Sequence, residues 1–105
     1  MTGRQERVHP VTRIVEHLNE HNGCERPEQT MRILKIGEEF GEAAQAWIGY
    51  TGQNPRKGVT HSKDDVVMEL ADVAVTALVA IESLGADAMQ ELATKLVQIK
   101  KRAGI

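Results

Sequence analysis

Glu39 and Glu42 stand three residues apart, and so do Glu69 and Asp72. On an α-helix that spacing puts both carboxylates of a pair on one face, about one turn apart, with Cβ atoms roughly 5 to 6 Å from each other. Two such helices facing one another present four carboxylates to one place. Carboxylates withdrawn from bulk water need a partner. The basic residues nearest in sequence to Glu69 and Asp72, namely Arg56, Lys57 and Lys63, fall in a loop or at a helix start, so a bound metal ion is the expected partner. Ligation by oxygen alone, with no His or Cys at hand, selects a hard cation. Mg²⁺ that keeps open or water-filled positions usually works together with substrate phosphates, with Mn²⁺ as an admissible substitute. The chemistry is therefore phosphoryl chemistry. The metal neutralises phosphate charge and lowers the pKa of a bound water, while a carboxylate not fully used in ligation takes the proton. Glu38 and Glu39 are the candidate bases.

The elements that must position these groups are helical. Val8, Val11, Ile14, Val15 and Leu18 recur at spacings of three and four until Asn22-Gly23, which predicts a first helix near residues 10 to 21. A second starts at Pro27, where the missing N–H costs nothing, and runs to Ile48 before Gly49. Residues 49–61 gather Gly, Pro and Asn without periodicity and read as a connecting loop. Ser62 with Asp65 resembles a capping box and opens a third helix lasting to Leu84, before Gly85. Asp87, with Gln90 at its third position, caps a fourth, whose apolar stripe is Met89, Leu92, Leu96 and Ile99.

On a helical wheel the second helix groups Ile33, Ile36, Phe40, Ala43, Ala44 and Trp47 on one broad arc, with Glu38, Glu39 and Glu42 opposite. Taken alone, that pattern is the solvated outer face of an amphipathic helix, and Trp47 belongs to the core. The third helix is apolar round most of its circumference, and such a helix is expected to be buried. Its polar residues Asp65, Glu69, Asp72, Thr76 and Ser83 form one narrow stripe, so Glu69 and Asp72 are expected to project from an enclosed helix.

GEEFGE (37–42) followed by ELAD (69–72) resembles the paired E-E-x-x-E and E-x-x-D motifs of the MazG-like nucleoside triphosphate pyrophosphohydrolases, and the resemblance extends over residues 10–102. It implies an all-α fold, a four-helix bundle completed by oligomerisation into a homodimer or homotetramer. It also implies a Mg²⁺ site made by Glu39, Glu42, Glu69 and Asp72, with Glu38 as an auxiliary acid. The implied activity is cleavage of a (deoxy)nucleoside triphosphate between the α and β phosphorus atoms, giving a nucleoside monophosphate and pyrophosphate as nucleotide-pool housekeeping. Lys95 and Arg102, seven apart on one face of the fourth helix, are candidate phosphate contacts. They are equally explained as a solvated basic C-terminus that complements the helix dipole. Many members carry Asn or Asp about four residues after the helix 4 lysine; Ile99 stands here.

Bulk properties bound the remainder. One domain over residues 1–105 is expected, with residues 1–8 flexible, and a chain this short buries only about 60 to 70% of its unfolded surface. Three aromatic residues leave the core to aliphatic side chains. A formal net charge of −2 gives no field for a nucleic-acid polymer. A polar start and a single cysteine are those of a cytoplasmic protein, and the longest nearly apolar run, Val73 to Ile81, is too short for a membrane span. His17, Glu20 and His21 match H-x-x-E-H, but surface histidines on an exposed face explain them more simply. Tyr50 and Asn54 are candidate base contacts. The alternative to an enzyme is a non-catalytic helical dimerisation or regulatory module with an acidic stripe.

Overall fold

The computed structural model describes residues 8–105, and every regular element among them is an α-helix: α1 (Pro10–Asn22), α2 (Arg26–Thr51), α3 (Lys63–Ser83) and α4 (Ala88–Ala103). The all-α expectation is met for these residues. The expected flexibility of residues 1–8 lies, apart from Val8, outside them. The starts are locally encoded. The His9 ring nitrogen accepts from the Val11 N–H, and Asp87 accepts from the Gln90 N–H. Ser62 and Asp65 form a reciprocal capping box, Asp65 N–H to Ser62 Oγ at 3.1 Å and Ser62 N–H to Asp65 Oδ2 at 2.9 Å.

The end of α2 differs from expectation. The helix runs through Gly49 to Thr51 and stops at Gly52, whose φ of 64° is left-handed and whose N–H bonds back to the Ile48 carbonyl. Gly49 is instead a point of close approach. The Thr60 N–H donates to its carbonyl at 2.9 Å, and a Cβ here would collide with His61 Nδ1 and Thr60 Oγ1. The connecting segment is thus folded back onto α2 and delivers the chain to the α3 cap.

α3 is the hub. It packs chiefly along α2, also against α1, and near its end meets α4. The α2–α3 seam is built from small residues, since Ala43, Ala46 and Gly49 are buried on α2 and Val66, Val79 and Ala80 on α3. Small side chains let two helix axes approach closely. At the other end of the seam, Arg32 is 5% exposed. Its guanidinium donates to Glu28 Oε2 (2.9 Å), Asn19 Oδ1 (2.8 Å), Ser83 Oγ (3.0 Å) and the Gly23 carbonyl (3.0 Å), joining α1, α2 and α3 at one node.

Two packing expectations are corrected. Phe40 and Trp47 are 62% and 55% exposed; the inward face of α2 is centred on Arg32, Ala43 and Ala46, to one side of the Phe40–Trp47 arc. The third helix is not enclosed by its own chain. Of its polar stripe Glu69, Thr76 and Ser83 are at least half-buried while Asp65 and Asp72 stay exposed, and Val67, Met68 and Leu70 face outward. α4 stands off with its whole stripe, Met89, Leu92, Leu96 and Ile99, exposed. The radius of gyration is accordingly 17.2 Å, against about 13 Å for a compact chain of this length. Among the described residues no helix is long and apolar enough to cross a membrane.

Candidate metal centre

Because four residues advance a helix by about 40°, a side chain at position 39 shares the face of Ala43. Glu39 therefore lies on the seam side of α2, not opposite Ala43 as the wheel expectation had it, and its side chain is only 13% exposed. Across the seam, α3 presents Glu69 and Asp72. One carboxylate oxygen from each of Glu39, Glu69 and Asp72 lie within 4.8 Å of one another. Oxygens of Glu38, Glu39 and Glu42 meet the same limit beside them. The expected ligands are thus brought together in two overlapping groups that share Glu39. Glu42 falls in the outer group with Glu38, and both of these are exposed.

One atom in this cluster has no partner. Glu69 Oε2 is out of contact with solvent and accepts no hydrogen bond. A buried carboxylate oxygen left unsatisfied costs on the order of 1 to 3 kcal/mol, so the position calls for a cation or donor that the described residues do not supply. Hard oxygen donors around an unsatisfied carboxylate fit the chemistry of Mg²⁺, whose ligands sit about 2.0 to 2.1 Å away, so that neighbouring oxygens close to roughly 3 Å when the ion is bound. Asp72 is steadied from behind, where Thr76 Oγ1 donates to its carbonyl at 2.7 Å.

The electrostatics agree. Repulsion from Glu39 raises the Glu42 carboxyl above the ordinary carboxylate value, with desolvation and then Glu69 adding to it. One cation does reach the cluster, from α2 itself. Lys35 Nζ lies 3.4 Å from Glu39 Oε1 and 3.7 Å from Glu38 Oε1. Glu38 and then Glu39 raise the pKa of its ammonium. Lys35 was legible as Lys at i, with Glu at i+3 and i+4, a spacing at which side chains meet on a helix.

Beside the centre, α1, α2 and α3 enclose an open cavity of about 600 Å³ with mainly apolar walls, among them Ile14, Leu18, Leu34 and Val79; Lys35 and Glu38 also line it. Lys95 and Arg102 lie exposed on α4 and pair with no acid among the described residues. The other candidates have local roles. Asn54 Oδ1 accepts from the Arg56 N–H at 3.1 Å and so closes a turn. Tyr50 rests against Trp47 with ring centroids 5.7 Å apart. His17 and His21 sit exposed, ring against ring at 4.3 Å, and belong to neither acidic group.

Comparison with protein-family models, with curated proteins and with solved structures finds no match to this chain.

Proposed function

We propose that the chain is a Mg²⁺-dependent nucleoside triphosphate pyrophosphohydrolase of the MazG-like kind. It releases pyrophosphate and a nucleoside monophosphate and serves cytoplasmic nucleotide housekeeping. The observation that carries this reading is Glu69 Oε2, buried and unpartnered beside Glu39 and Asp72. A structural acidic stripe has no use for an unsatisfied oxygen at its centre, whereas a cation site does.

Glu39, Glu69 and Asp72 hold the cation in this reading, with Glu42 closing the outer side. The bound Mg²⁺ supplies neutralisation of phosphate charge and acidification of a water. Glu38 is the better base of the two candidates, because it is exposed and outside the inner group, with only the exposed Lys35 beside it. The apolar cavity next to it accepts the uncharged part of the substrate. Lys95 and Arg102 reach phosphate only if assembly brings α4 of one copy to the centre of another, and a homodimer or homotetramer is part of the proposal. Its support is the outward apolar face of α3 and the bare stripe of α4.

A panel of canonical, oxidised and methylated nucleotides, incubated with and without Mg²⁺ and assayed for pyrophosphate, tests the reading. Pyrophosphate release that needs Mg²⁺ is expected from at least one of them. An intact panel, or orthophosphate as the sole product, would sink it. The non-catalytic module is favoured by one feature, the Lys35 ammonium already paired with Glu38 and Glu39. It predicts no Mg²⁺ binding at all.

A further inference from the structure

The outer acidic group carries its own cation. Lys35 Nζ sits between Glu38 and Glu39, 3.7 and 3.4 Å from their oxygens, and its stem lines the cavity that opens next to the centre. Glu39 is the one residue common to both acidic groups, so a cation bound by Glu39 and a lysine bound by Glu39 draw on the same carboxylate. Lys35 is 53% exposed at its side chain. It is held by charge and not by packing; its pair with Glu38 is exposed on both sides and so contributes little, and its pair with Glu39 is open to solvent from the lysine side.

We propose that Lys35 is an exchangeable counter-ion of the metal centre: it occupies Glu38 and Glu39 while no metal is bound, and once displaced it turns into the cavity mouth to bind a phosphate of the substrate. The proposal rests on the metal-centre reading above. Its first half follows from competition. A divalent ion entering beside Glu39 meets the positive charge of Lys35 within a few ångströms and must push it aside, so Lys35 weakens metal binding. Its second half follows from position. A four-carbon stem rooted on α2 reaches either the carboxylates or the cavity mouth, and an ammonium expelled from one finds its next anion in the other. The exchange keeps the charge of the empty site low, leaves the ligands free when metal arrives, and supplies a cation to the triphosphate only after the metal is in place.

The residue makes opposite contributions to two ligands, which a merely structural ion pair does not. Wild type, Lys35→Met and Lys35→Arg are titrated by calorimetry with Mg²⁺ alone, and the Mg²⁺-saturated proteins are then titrated with inorganic pyrophosphate as the phosphate probe. Lys35→Met is expected to bind Mg²⁺ about three- to tenfold more tightly than wild type and to bind pyrophosphate about tenfold more weakly. Lys35→Arg keeps the charge and is expected to stay within about twofold of wild type for Mg²⁺. Since Lys35 is surface-exposed, each variant is expected to show the wild-type helical circular dichroism. Equal or weaker Mg²⁺ binding by Lys35→Met overturns the exchange, as does unchanged pyrophosphate binding. Absence of Mg²⁺ binding in wild type is a different result, which overturns the metal-centre reading and the exchange with it.

Discussion

Glu39 on α2 and Glu69 on α3 face each other across the helix seam with carboxylate oxygens within 4.8 Å, and the Glu69 Oε2 buried there has no partner. Two like charges at that separation in a partly dry place repel, and Asp72 and Glu42 add to the repulsion. Removing one charge while keeping the shape should relieve it. Glu69→Gln and Asp72→Asn are expected to abolish turnover and yet leave the metal-free protein at least as heat-stable as wild type. Mg²⁺ that binds only the folded state should stabilise wild type by about 2.7 kcal/mol at a hundredfold excess over its Kd, and both variants should lose most of that gain. Thermal melts in EDTA and then in Mg²⁺ decide it. If Asp72→Asn melts well below metal-free wild type and Mg²⁺ shifts both equally, the two acids are structural.

Arg32 makes the opposite kind of contribution. Its guanidinium satisfies Glu28, Asn19, Ser83 and the Gly23 carbonyl from a position 5% exposed. Arg32→Met keeps much of the volume but strands these acceptors, and the expected loss is about 2 to 4 kcal/mol. Arg32→Lys should recover less than half of it, because one ammonium cannot span the fork that reaches three helices. Urea denaturation followed by circular dichroism measures both. A change under about 0.5 kcal/mol for Arg32→Met, the range of an ordinary surface site, would show that the node carries no stability.

Helix number, type and caps were legible because they are set within a few residues: Ser62 with Asp65, Asp87 with Gln90, Asn22-Gly23. The nearness of the α2 and α3 carboxylates was legible in part for the same reason, through i, i+3 spacing, although Glu42 groups with Glu38 and Glu39 and not with Glu69 and Asp72. What failed needed knowledge of what covers what. Phe40 and Trp47 have the apolarity of core residues but belong to a face the single chain leaves open, so hydrophobicity alone set the inward side of α2 off by part of a turn. Glu39 was misplaced with them. Gly49 reads as a helix stop in sequence, yet its role is steric and depends on Thr60 and His61 returning to α2. Arg32 was invisible because its four acceptors are scattered over residues 19 to 83.

The α3 capping box gives a pH signature. The Ser62 backbone N–H, with help from its hydroxyl, holds the Asp65 carboxyl below the ordinary carboxylate value. A depressed folded-state pKa means that this contribution is complete above the unfolded pKa, near 4, and is lost as pH falls through the lower folded value. Stability of wild type should therefore decline from about pH 4 downward more steeply than that of Asp65→Asn, which has no proton to gain. Ser62→Ala removes the hydroxyl acceptor and should cost about 1 kcal/mol at neutral pH. Chemical denaturation at a series of pH values compares the three proteins. Parallel curves for wild type and Asp65→Asn below pH 4 would show that Asp65 does not titrate with folding.

Gly49→Ala tests the seam itself. Elsewhere in a helix this change gains up to about 1 kcal/mol from helix propensity, but here the new Cβ meets His61 Nδ1 and Thr60 Oγ1. The side chains of Thr60 and His61 must shift, which strains the segment carrying the Thr60 N–H bond to the residue 49 carbonyl, so a net destabilisation of about 1 to 3 kcal/mol is expected. A more stable Gly49→Ala protein would mean that the returning segment yields at no cost.

α3 directs Val67, Met68 and Leu70 outward, and α4 leaves Leu92, Leu96 and Ile99 bare. So much aliphatic surface on one short chain is expected to be covered in an assembly, and closed symmetry is the usual outcome when identical chains cover it. Light scattering at micromolar concentration should give two or four times the chain mass. Leu70→Asp and Leu96→Asp each place a charge in that surface without touching a buried residue of the single chain, and at least one should lower the mass while keeping the helical signal. If the assembly also brings Lys95 or Arg102 to a neighbour's centre, the dissociated variant should still bind Mg²⁺ through Glu39, Glu69 and Asp72 but bind pyrophosphate weakly. A wild type that runs as a monomer at micromolar concentration would contradict the assembly and remove Lys95 and Arg102 from the site.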